Sequence, residues 1–249
     1  MGFLNKLGIG IGTGNSRAVS RPVPSNGRPR ATNNSMVAVG TPRAPEMRES
    51  TRISNGLKEF LWNLDGLGRG TLLDLGPAWQ TTLSFFIERG FRVSSEDILR
   101  AWKEFLLEEE ARLKDAGVAS ASVDMTPAGR AGRFLEDNLK YSRSSFDAVL
   151  LWDILDYLEP SLATQVVTCL TDVLRPGGVV FAMFHSKKPE GFQRYRVADS
   201  NTLQVISTPV VCPAQKVYQN REIQDLFSRY RTMKSFVGRD QLRETLFIK

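Results

Sequence analysis

The sequence predicts an α/β fold with an open, doubly wound and mostly parallel sheet, and three observations lead to this prediction. Apolar segments of strand length alternate with helical patterns of about ten or more residues, as in crossover units between parallel strands. Segments such as AVLLW and VVFAMF are almost continuously apolar, which is typical of strands covered on both faces. The chain ends in two strand patterns joined by the short segment GRDQLR, which indicates an antiparallel hairpin at one edge.

The composition changes near residue 50. Residues 1–50 are rich in Gly, Pro, Ser, Asn and Arg, so they cannot bury enough apolar surface to offset the entropy of the chain. We therefore expect a disordered tail over residues 1–50 and a folded domain over residues 51–249. The segment GIGIGTG in the tail is not expected to bind phosphate, because no strand precedes it and no helix follows it.

The net charge of +6 belongs almost entirely to the tail. Residues 1–50 hold seven basic and two acidic side chains, which leaves 26 basic and 25 acidic side chains in the domain. Binding of nucleic acid needs basic groups clustered on a folded face. We therefore expect no nucleic-acid partner for the domain, although the basic tail leaves contact with a membrane surface or an acidic partner open.

Cysteine and histidine are scarce. Cys169, Cys212 and the single histidine, His185, provide neither a disulfide framework nor the ligand spacing of a metal site. No apolar run approaches the ~18 residues of a transmembrane helix, and the first residues do not resemble a secretory signal. We expect a cytoplasmic protein with reduced thiols and no metal.

The elements follow from the spacing of apolar residues and from the glycines that end helices. The segment LKEFLWNL has helical spacing, and the glycines of GLGRG end it. The next elements are a strand over TLLDL, a helix over TTLSFFIERG, a strand over FRVSSED, a long helix over ILRAWKEFLLEEEARLKDAG, a weaker strand over RFLEDNL, a strand over FDAVLLWDIL, a helix over SLATQVVTCLTDVL and a strand over VVFAMFH. After the polar connection SKKPEGFQRYRVADSN come the segment TLQVISTPVV, a helix over REIQDLFSRY capped by Asn220, and the strands TMKSFVG and ETLFIK.

A turn that is suited to a ligand follows the first of these strands. Ligands of doubly wound sheets bind beyond the carboxyl ends of the strands, where Asp74 and Gly76 lie. Gly76 allows a tight turn and a close approach of the backbone to a ligand. Pro77 removes one amide donor, and Ala78 is the smallest side chain after glycine, so a close approach is retained.

Acidic residues also end the next two predicted strands. Glu96 and Asp97 follow the turn by about 20 residues, the place of a carboxylate that binds ribose hydroxyls. Glu136, Asp137 and Asn138 end the third and can accept hydrogen bonds from an adenine amino group. A single acidic residue in such a place is also commonly a helix cap or a solvated loop residue. Their recurrence along one sheet edge favours a nucleotide-like ligand.

The order of these motifs resembles that of the class I methyltransferases that use S-adenosyl-L-methionine. TLLDLGPAWQ looks like their first motif and RVSSEDI like their acidic motif, while FDAVLLWDILDYLEP and VLRPGGVVFAMF are similar to their fourth-strand and fifth-strand blocks. The resemblance covers about residues 55–249 and is closest to the small-molecule, type 11 branch. It implies a Rossmann-like sheet of seven strands with a reversed last strand, S-adenosyl-L-methionine as cofactor and a small-molecule acceptor.

The resemblance also implies which residues bind the cofactor. The turn after the first predicted strand would approach the methionine part of the cofactor. The residues at the end of the second strand would bind the ribose, and those at the end of the third would contact the adenine. The residues after the fourth strand would face the sulfonium and the acceptor. The implied residues are Asp74, Gly76, Pro77, Ala78, Glu96, Asp97, Asp137, Asn138, Leu139, Trp152 and Asp153. The chain departs from the family pattern at two places: Ala78 replaces the second glycine, and Asp156-Tyr157-Leu158 replaces the usual Glu-His-Leu triplet.

Candidate catalytic residues lie after the fourth and fifth strands. His185 is either a general base for the acceptor or a hydrogen-bonded structural residue. Asp153 is expected on the acceptor side, and Trp152 either faces the cofactor or packs in the core. The polar insertion Ser186–Ser200, which contains Tyr195, is either a lid over the site or a solvated loop.

Three functional hypotheses follow. The first is a methyltransferase, in which the protein holds acceptor and methyl group in line and excludes water. The second is a catalytically silent relative that acts as a binding or scaffold module, and the unusual turn GPAW motivates it. The third, a nicotinamide dinucleotide enzyme, is disfavoured because GPAWQT supplies only the first glycine of the GxGxxG turn.

Overall fold

The computed structural model describes residues 49–116, 124–208 and 212–249. The predicted disordered tail lies outside these residues, apart from Glu49 and Ser50, which belong to a strand. The strands are β1 (Glu49–Ile53), β2 (Gly70–Asp74), β3 (Phe91–Ser95), β4 (Phe146–Trp152), β5 (Leu174–His185), β6 (Gln193–Val197), β7 (Thr202–Ser207), β8 (Thr232–Val237) and β9 (Leu242–Ile248). The helices are α1 (Asn55–Leu64), α2 (Gln80–Ile87), α3 (Ile98–Ala116), α4 (Pro127–Asn138), α5 (Pro160–Val173) and α6 (Asn220–Leu226), with a 3-10 helix at Ile154–Tyr157.

The main sheet has the order β3-β2-β4-β5-β9-β8. Its first four strands are parallel, and β9 runs antiparallel to both β5 and β8. This arrangement confirms the predicted doubly wound sheet with a hairpin at its edge. Six strands form it in the part of the chain that the structure describes, where the resemblance implied seven.

The weak strand prediction over RFLEDNL is wrong, because this segment lies in helix α4. The Thr126 hydroxyl caps the helix by accepting a hydrogen bond of 3.0 Å from the Gly129 amide, and Pro127 occupies the first turn. Ala131 and Phe134, three residues apart, are both buried on one helical face. Residues 139–145, between this helix and β4, form no strand.

A second sheet of three strands, in the order β1-β7-β6, was not predicted. Its strands pair antiparallel, and β6 consists of residues from the polar connection that the sequence presented as a lid or a solvated loop. Tyr195 and Val197 are buried while their neighbours are partly exposed, the alternation expected of a strand with one covered face. The solvated-loop alternative is therefore wrong for this part of the insertion.

Helix α1 packs very closely on the main sheet. Ser54 caps it by accepting from the Leu57 amide at 2.9 Å. A Cβ at Gly56 would lie 2.7 Å from atoms of both Phe181 and Glu244, so glycine is needed for this approach.

No helix among the described residues has the length and apolar character of a membrane span.

An ion pair joins the two sheets. The Arg52 guanidinium on β1 donates to Glu244 on β9 at 2.5 Å and to Asp240 at 2.8 Å. Glu244 is buried and also accepts a hydrogen bond of 2.6 Å from the Gly56 amide. The three-stranded sheet is thus tied to β9, the strand next to one edge of the main sheet.

We expect Arg52→Met to lower the free energy of unfolding by about 3 kcal/mol, because it leaves the buried Glu244 carboxylate without its cation. Urea unfolding measures the change. The control is Lys114→Met, which breaks an exposed pair with Glu110 and is expected to cost less than about 1 kcal/mol. Equal losses in the two variants would contradict the structural role of Arg52.

Candidate functional site

The turn after β2 holds a carboxylate that is only half satisfied. Asp74 is buried, and its Oδ1 accepts hydrogen bonds from the Gly76 amide at 2.9 Å and the Trp152 indole N–H at 2.7 Å. Its Oδ2 is buried without a partner among the described residues. Burial raises the pKa of Asp74 to about 6, although the two hydrogen bonds oppose the shift. A buried oxygen of this kind is suited to a hydrogen-bond donor from a ligand.

Gly76 is required where it stands because the Trp152 side chain lies directly over it. A Cβ at this position would be 2.7 Å from the indole nitrogen of Trp152. Trp152 itself has a φ of +53°, a left-handed conformation that costs a bulky residue about 1–3 kcal/mol. The hydrogen bond to Asp74 and the edge contact with Phe181 at 6.0 Å offset this strain. Trp152 is therefore packed in the core, as one alternative predicted, and it also lines the turn, while its contact with a cofactor stays a prediction.

Glu96 and Asp97, the two predicted carboxylates after β3, both already accept hydrogen bonds from protein groups. Glu96 accepts from the Tyr141 hydroxyl at 2.7 Å; burial and this bond raise the pKa of Tyr141 to about 12. Asp97 accepts from the Arg100 amide at 3.2 Å, which makes it a cap of α3, and from the Arg194 guanidinium at 3.0 Å. The helix-cap alternative thus holds for Asp97, in addition to an ion pair that the sequence did not reveal.

The predicted adenine-contact residues lie at the end of helix α4 and not at the end of a strand. Asp137 is exposed and pairs with Lys140 at 3.4 Å. Asn138 donates to the Phe134 carbonyl at 2.9 Å, and Leu139 is buried. Their contact with an adenine stays a prediction, and the strand end on which it was based is absent from this segment.

A buried polar cluster follows β4 and β5. His185 Nε2 lies 3.0 Å from Asp153 Oδ2, and the His185 backbone amide donates to Asp156 Oδ2 at 2.7 Å. The Tyr195 hydroxyl donates to Asp153 at 3.3 Å. All four residues are buried, and Asp156 Oδ1 has no partner among the described residues. The structure therefore brings the two predicted catalytic residues, His185 and Asp153, into contact.

The pKa values in this cluster respond to burial and to neighbouring charge. Burial raises the pKa of Asp156 to about 7, with the Asp153 charge adding to the shift. Burial lowers the pKa of His185, but the hydrogen bond and charge of Asp153 outweigh it and the net shift is upward. In the sequence, Asp156 differed from the family triplet, but its role in this cluster was not predicted; the available signal was a carboxylate inside the apolar run WDILDYL.

Strand β6 covers the turn. The Tyr195 ring stacks on Trp152 with centroids 6.2 Å apart and an angle of 13°. The cavity left at the turn is about 10 Å³, room for about one water molecule. Its walls include Gly76, Pro77, Leu99, Trp152, Phe192 and Tyr195. Ala78, the remaining predicted turn residue, is exposed and is not part of these walls.

A larger cavity of about 400 Å³ adjoins this covered turn. The two cavities share Leu99, Phe192 and Arg194. The other walls of the larger one combine apolar and aromatic residues, among them Trp102 and Leu106 on α3 and Tyr157 after β4, with charged and polar ones: Asp97, Arg100, Lys103, Glu159 and Gln215. This volume is typical of a site for a small molecule.

Within the described ranges, no group of His, Cys, Asp and Glu side chains is arranged to hold a metal ion, and both cysteines are free thiols.

Comparison with known proteins gives structural similarity only. No protein-family model matches this chain, and no curated protein matches it in sequence. The 1,6-didemethyltoxoflavin-N1-methyltransferase of Burkholderia thailandensis, solved with 1,6-didemethyltoxoflavin and S-adenosylhomocysteine, is 15% identical over 79% of each chain, with a TM-score of 0.40. An S-adenosylmethionine-dependent methyltransferase from Mesorhizobium loti is 13% identical over 77% of this chain and 96% of its own, with a TM-score of 0.42. One from Methanosarcina mazei is 14% identical over 73% and 92%, with a TM-score of 0.39. Similarities this low do not carry an activity over to this chain.

We expect the free energy of unfolding to fall as the pH rises from about 4 to about 7. The raised pKa of Asp156 means that the folded state takes up a proton which the unfolded state, with a carboxyl pKa of 3.8, has already lost. Asp156→Asn removes this titration and keeps an oxygen for the His185 amide, so it should stabilise the protein by about 2 kcal/mol at pH 8 and have little effect at pH 4.

Thermal and urea unfolding at the two pH values measure this effect. The control is Asp225→Asn, which changes an exposed carboxyl on α6 and should behave like the wild type at both. If Asp156→Asn destabilises the protein equally at pH 4 and pH 8, burial does not set the pKa of Asp156.

Proposed function

We propose that this chain is an S-adenosyl-L-methionine-dependent methyltransferase that acts on a small molecule. The observation that carries the proposal is the buried, unpartnered Oδ2 of Asp74, beside Gly76 at the end of β2. The methionine part of the cofactor ends in an ammonium group, which is the donor that this oxygen lacks. The strand order and the carboxylates one strand away, at the end of β3, support the same assignment.

The polar groups at the turn fit the cofactor, whereas the space in this conformation does not. Asp74 would accept from the ammonium group, and Asp97 would accept from the ribose hydroxyls. Asp97 is now held by Arg194, and Trp152 and Tyr195 leave only about 10 Å³ beside Gly76. Binding therefore requires that the residues of β6 withdraw, while the carboxylates keep their places at the strand ends.

The acceptor side of the site consists of the buried pair of Asp153 and His185. When bound, the cofactor supplies a methyl group that its sulfonium has already activated. The chain then has to hold the acceptor in line, exclude water and take up the proton that the acceptor loses. The cavity of about 400 Å³ is the proposed place for the acceptor. Asp153 lines the small cavity at the turn and not the larger one, so the acceptor would have to reach the pair from the larger cavity past Phe192 and Arg194, which line both. The contact of Asp153 with the His185 ring keeps that imidazole in position.

A silent binding module is the second candidate, and a specific observation favours it. Trp152 and Tyr195 fill the turn by stacking on each other, as a permanently closed site would require. Such a protein would use the larger cavity or a surface without the cofactor. Titration with S-adenosylhomocysteine separates the two candidates, because the silent module would not bind it even when Tyr195 is replaced.

We expect isothermal titration to show binding of S-adenosylhomocysteine to the wild-type protein, and Asp74→Asn to weaken it at least about tenfold. The reason is that a hydrogen bond to a charged group contributes about 1.5–3 kcal/mol. Affinity should also rise as the pH passes upward through about 6, where Asp74 loses its proton.

The matched control is Asp115→Asn on the exposed end of α3, which should bind as the wild type does. An unchanged affinity in Asp74→Asn would show that Asp74 does not hold the ligand. Failure of the wild type, of Asp115→Asn and of Tyr195→Leu to bind at millimolar concentration would remove the proposed function.

A further inference from the structure

We infer that strand β6 is an intramolecular gate, in which Arg194 and Tyr195 occupy the place of the cofactor and must leave before it binds. This inference rests on the proposed function and adds the regulation of its site. The two residues are adjacent in sequence, and each contacts a residue that the cofactor would need. Both contacts lie at the carboxyl ends of the parallel strands, which is the edge of the sheet where a ligand would bind.

The first contact is the ion pair of Arg194 with Asp97. The guanidinium lies 3.0 Å from the carboxylate, with side chains only 18% and 20% exposed. Asp97 is the carboxylate expected to accept hydrogen bonds from the ribose hydroxyls. Arg194 bonds to Oδ1 of this carboxylate, so ribose and Arg194 compete for that oxygen and the cofactor cannot take its full set of contacts while the pair is closed.

The second contact is the Tyr195 side chain against Trp152 and Asp153. The ring stacks on the Trp152 indole, which itself lies over Gly76. Its hydroxyl donates to Asp153 at 3.3 Å, and the residue is buried. This side chain closes the space between the turn and the proposed acceptor site, where the sulfonium would have to lie.

The position of β6 in its sheet allows it to withdraw. It is an edge strand that pairs with β7 alone, so lifting it breaks a hydrogen-bond ladder on one side only. Its far end is fixed by a hydrogen bond of 3.0 Å from the Val197 amide to the Thr82 hydroxyl. The connection before it contains the polar residues Ser186–Gly191, outside any strand or helix. Withdrawal of Arg194 and Tyr195 therefore leaves the contact at Val197 in place, but it strains or breaks the hydrogen bond of 3.1 Å from the Thr208 amide to the Phe192 carbonyl just before β6.

A closed gate lowers the apparent affinity of the cofactor by the fraction of molecules that are open. Weakening the closed state should therefore tighten binding, which is the reverse of the usual effect of removing a charged residue from a ligand site. We expect Arg194→Gln to bind S-adenosylhomocysteine about tenfold more tightly than the wild type. Tyr195→Leu, which removes the stacked ring and keeps an apolar side chain, should act in the same direction.

The matched control is Arg196→Gln on the same strand. The Arg196 side chain bonds to Glu49 and Gln204 and lines neither cavity, so its removal should leave the affinity within about twofold of the wild type. Isothermal titration with S-adenosylhomocysteine gives the first readout. Hydrogen exchange of the β6 amides, measured on the same full-length proteins without ligand, gives the second.

The two readouts separate the gate from the proposed function. Tighter binding and faster β6 exchange in Arg194→Gln, with neither change in Arg196→Gln, would establish the gate. If the wild type binds and Arg194→Gln binds equally or more weakly, the gate is overturned and the proposed function stands. If no variant binds at millimolar ligand, the proposed function fails and the gate with it, even if exchange shows that Arg194 holds β6 closed.

Discussion

The hydrogen bond from the Trp152 indole to Asp74 joins the ends of two central strands, and the rest of the site depends on it. At 2.7 Å it fixes one oxygen of the Asp74 carboxylate and leaves the other without a partner. It also holds the indole over Gly76, in a backbone conformation that Trp152 would not otherwise favour. The same indole is the surface on which Tyr195 stacks. One contact therefore sets both the polarity of the turn and the way in which it is closed.

Buried carboxylates give this region its chemical character. Asp74, Asp153 and Asp156 are all buried. His185 contacts Asp153, and Arg194 on β6 pairs with Asp97 at the end of the neighbouring strand. Burying ionised groups without full compensation costs stability, and the raised pKa values of Asp74 and Asp156 reflect this cost. Such strained and perturbed groups at the carboxyl ends of strands are typical of functional sites and not of a scaffold optimised for stability alone.

The sequence was sufficient for the central sheet because β4 and the second half of β5 are nearly continuous apolar runs, as expected of strands that are covered on both faces. It failed at RFLEDNL, where Thr126 and Pro127 are a helix start that outweighed a weak strand pattern. It also failed at β6, because QRYRV is mostly polar and its strand forms only by pairing with β7, itself paired to β1. Tertiary contacts of this kind cannot be obtained from local periodicity. The positions of Asp74 and His185 at strand ends were predictable from the sequence, whereas the contacts of Arg194 and Tyr195, which depend on how β6 pairs, were not.

A crystal structure of the protein grown with millimolar S-adenosylhomocysteine would show whether the turn after β2 binds the cofactor. We expect the ligand's ammonium group to lie within about 3 Å of Asp74 Oδ2. We also expect Asp97 to face the ribose and Arg194 and Tyr195 to be displaced from the turn. A structure in which the Tyr195 ring still stacks on Trp152 and the turn holds no ligand would contradict this expectation.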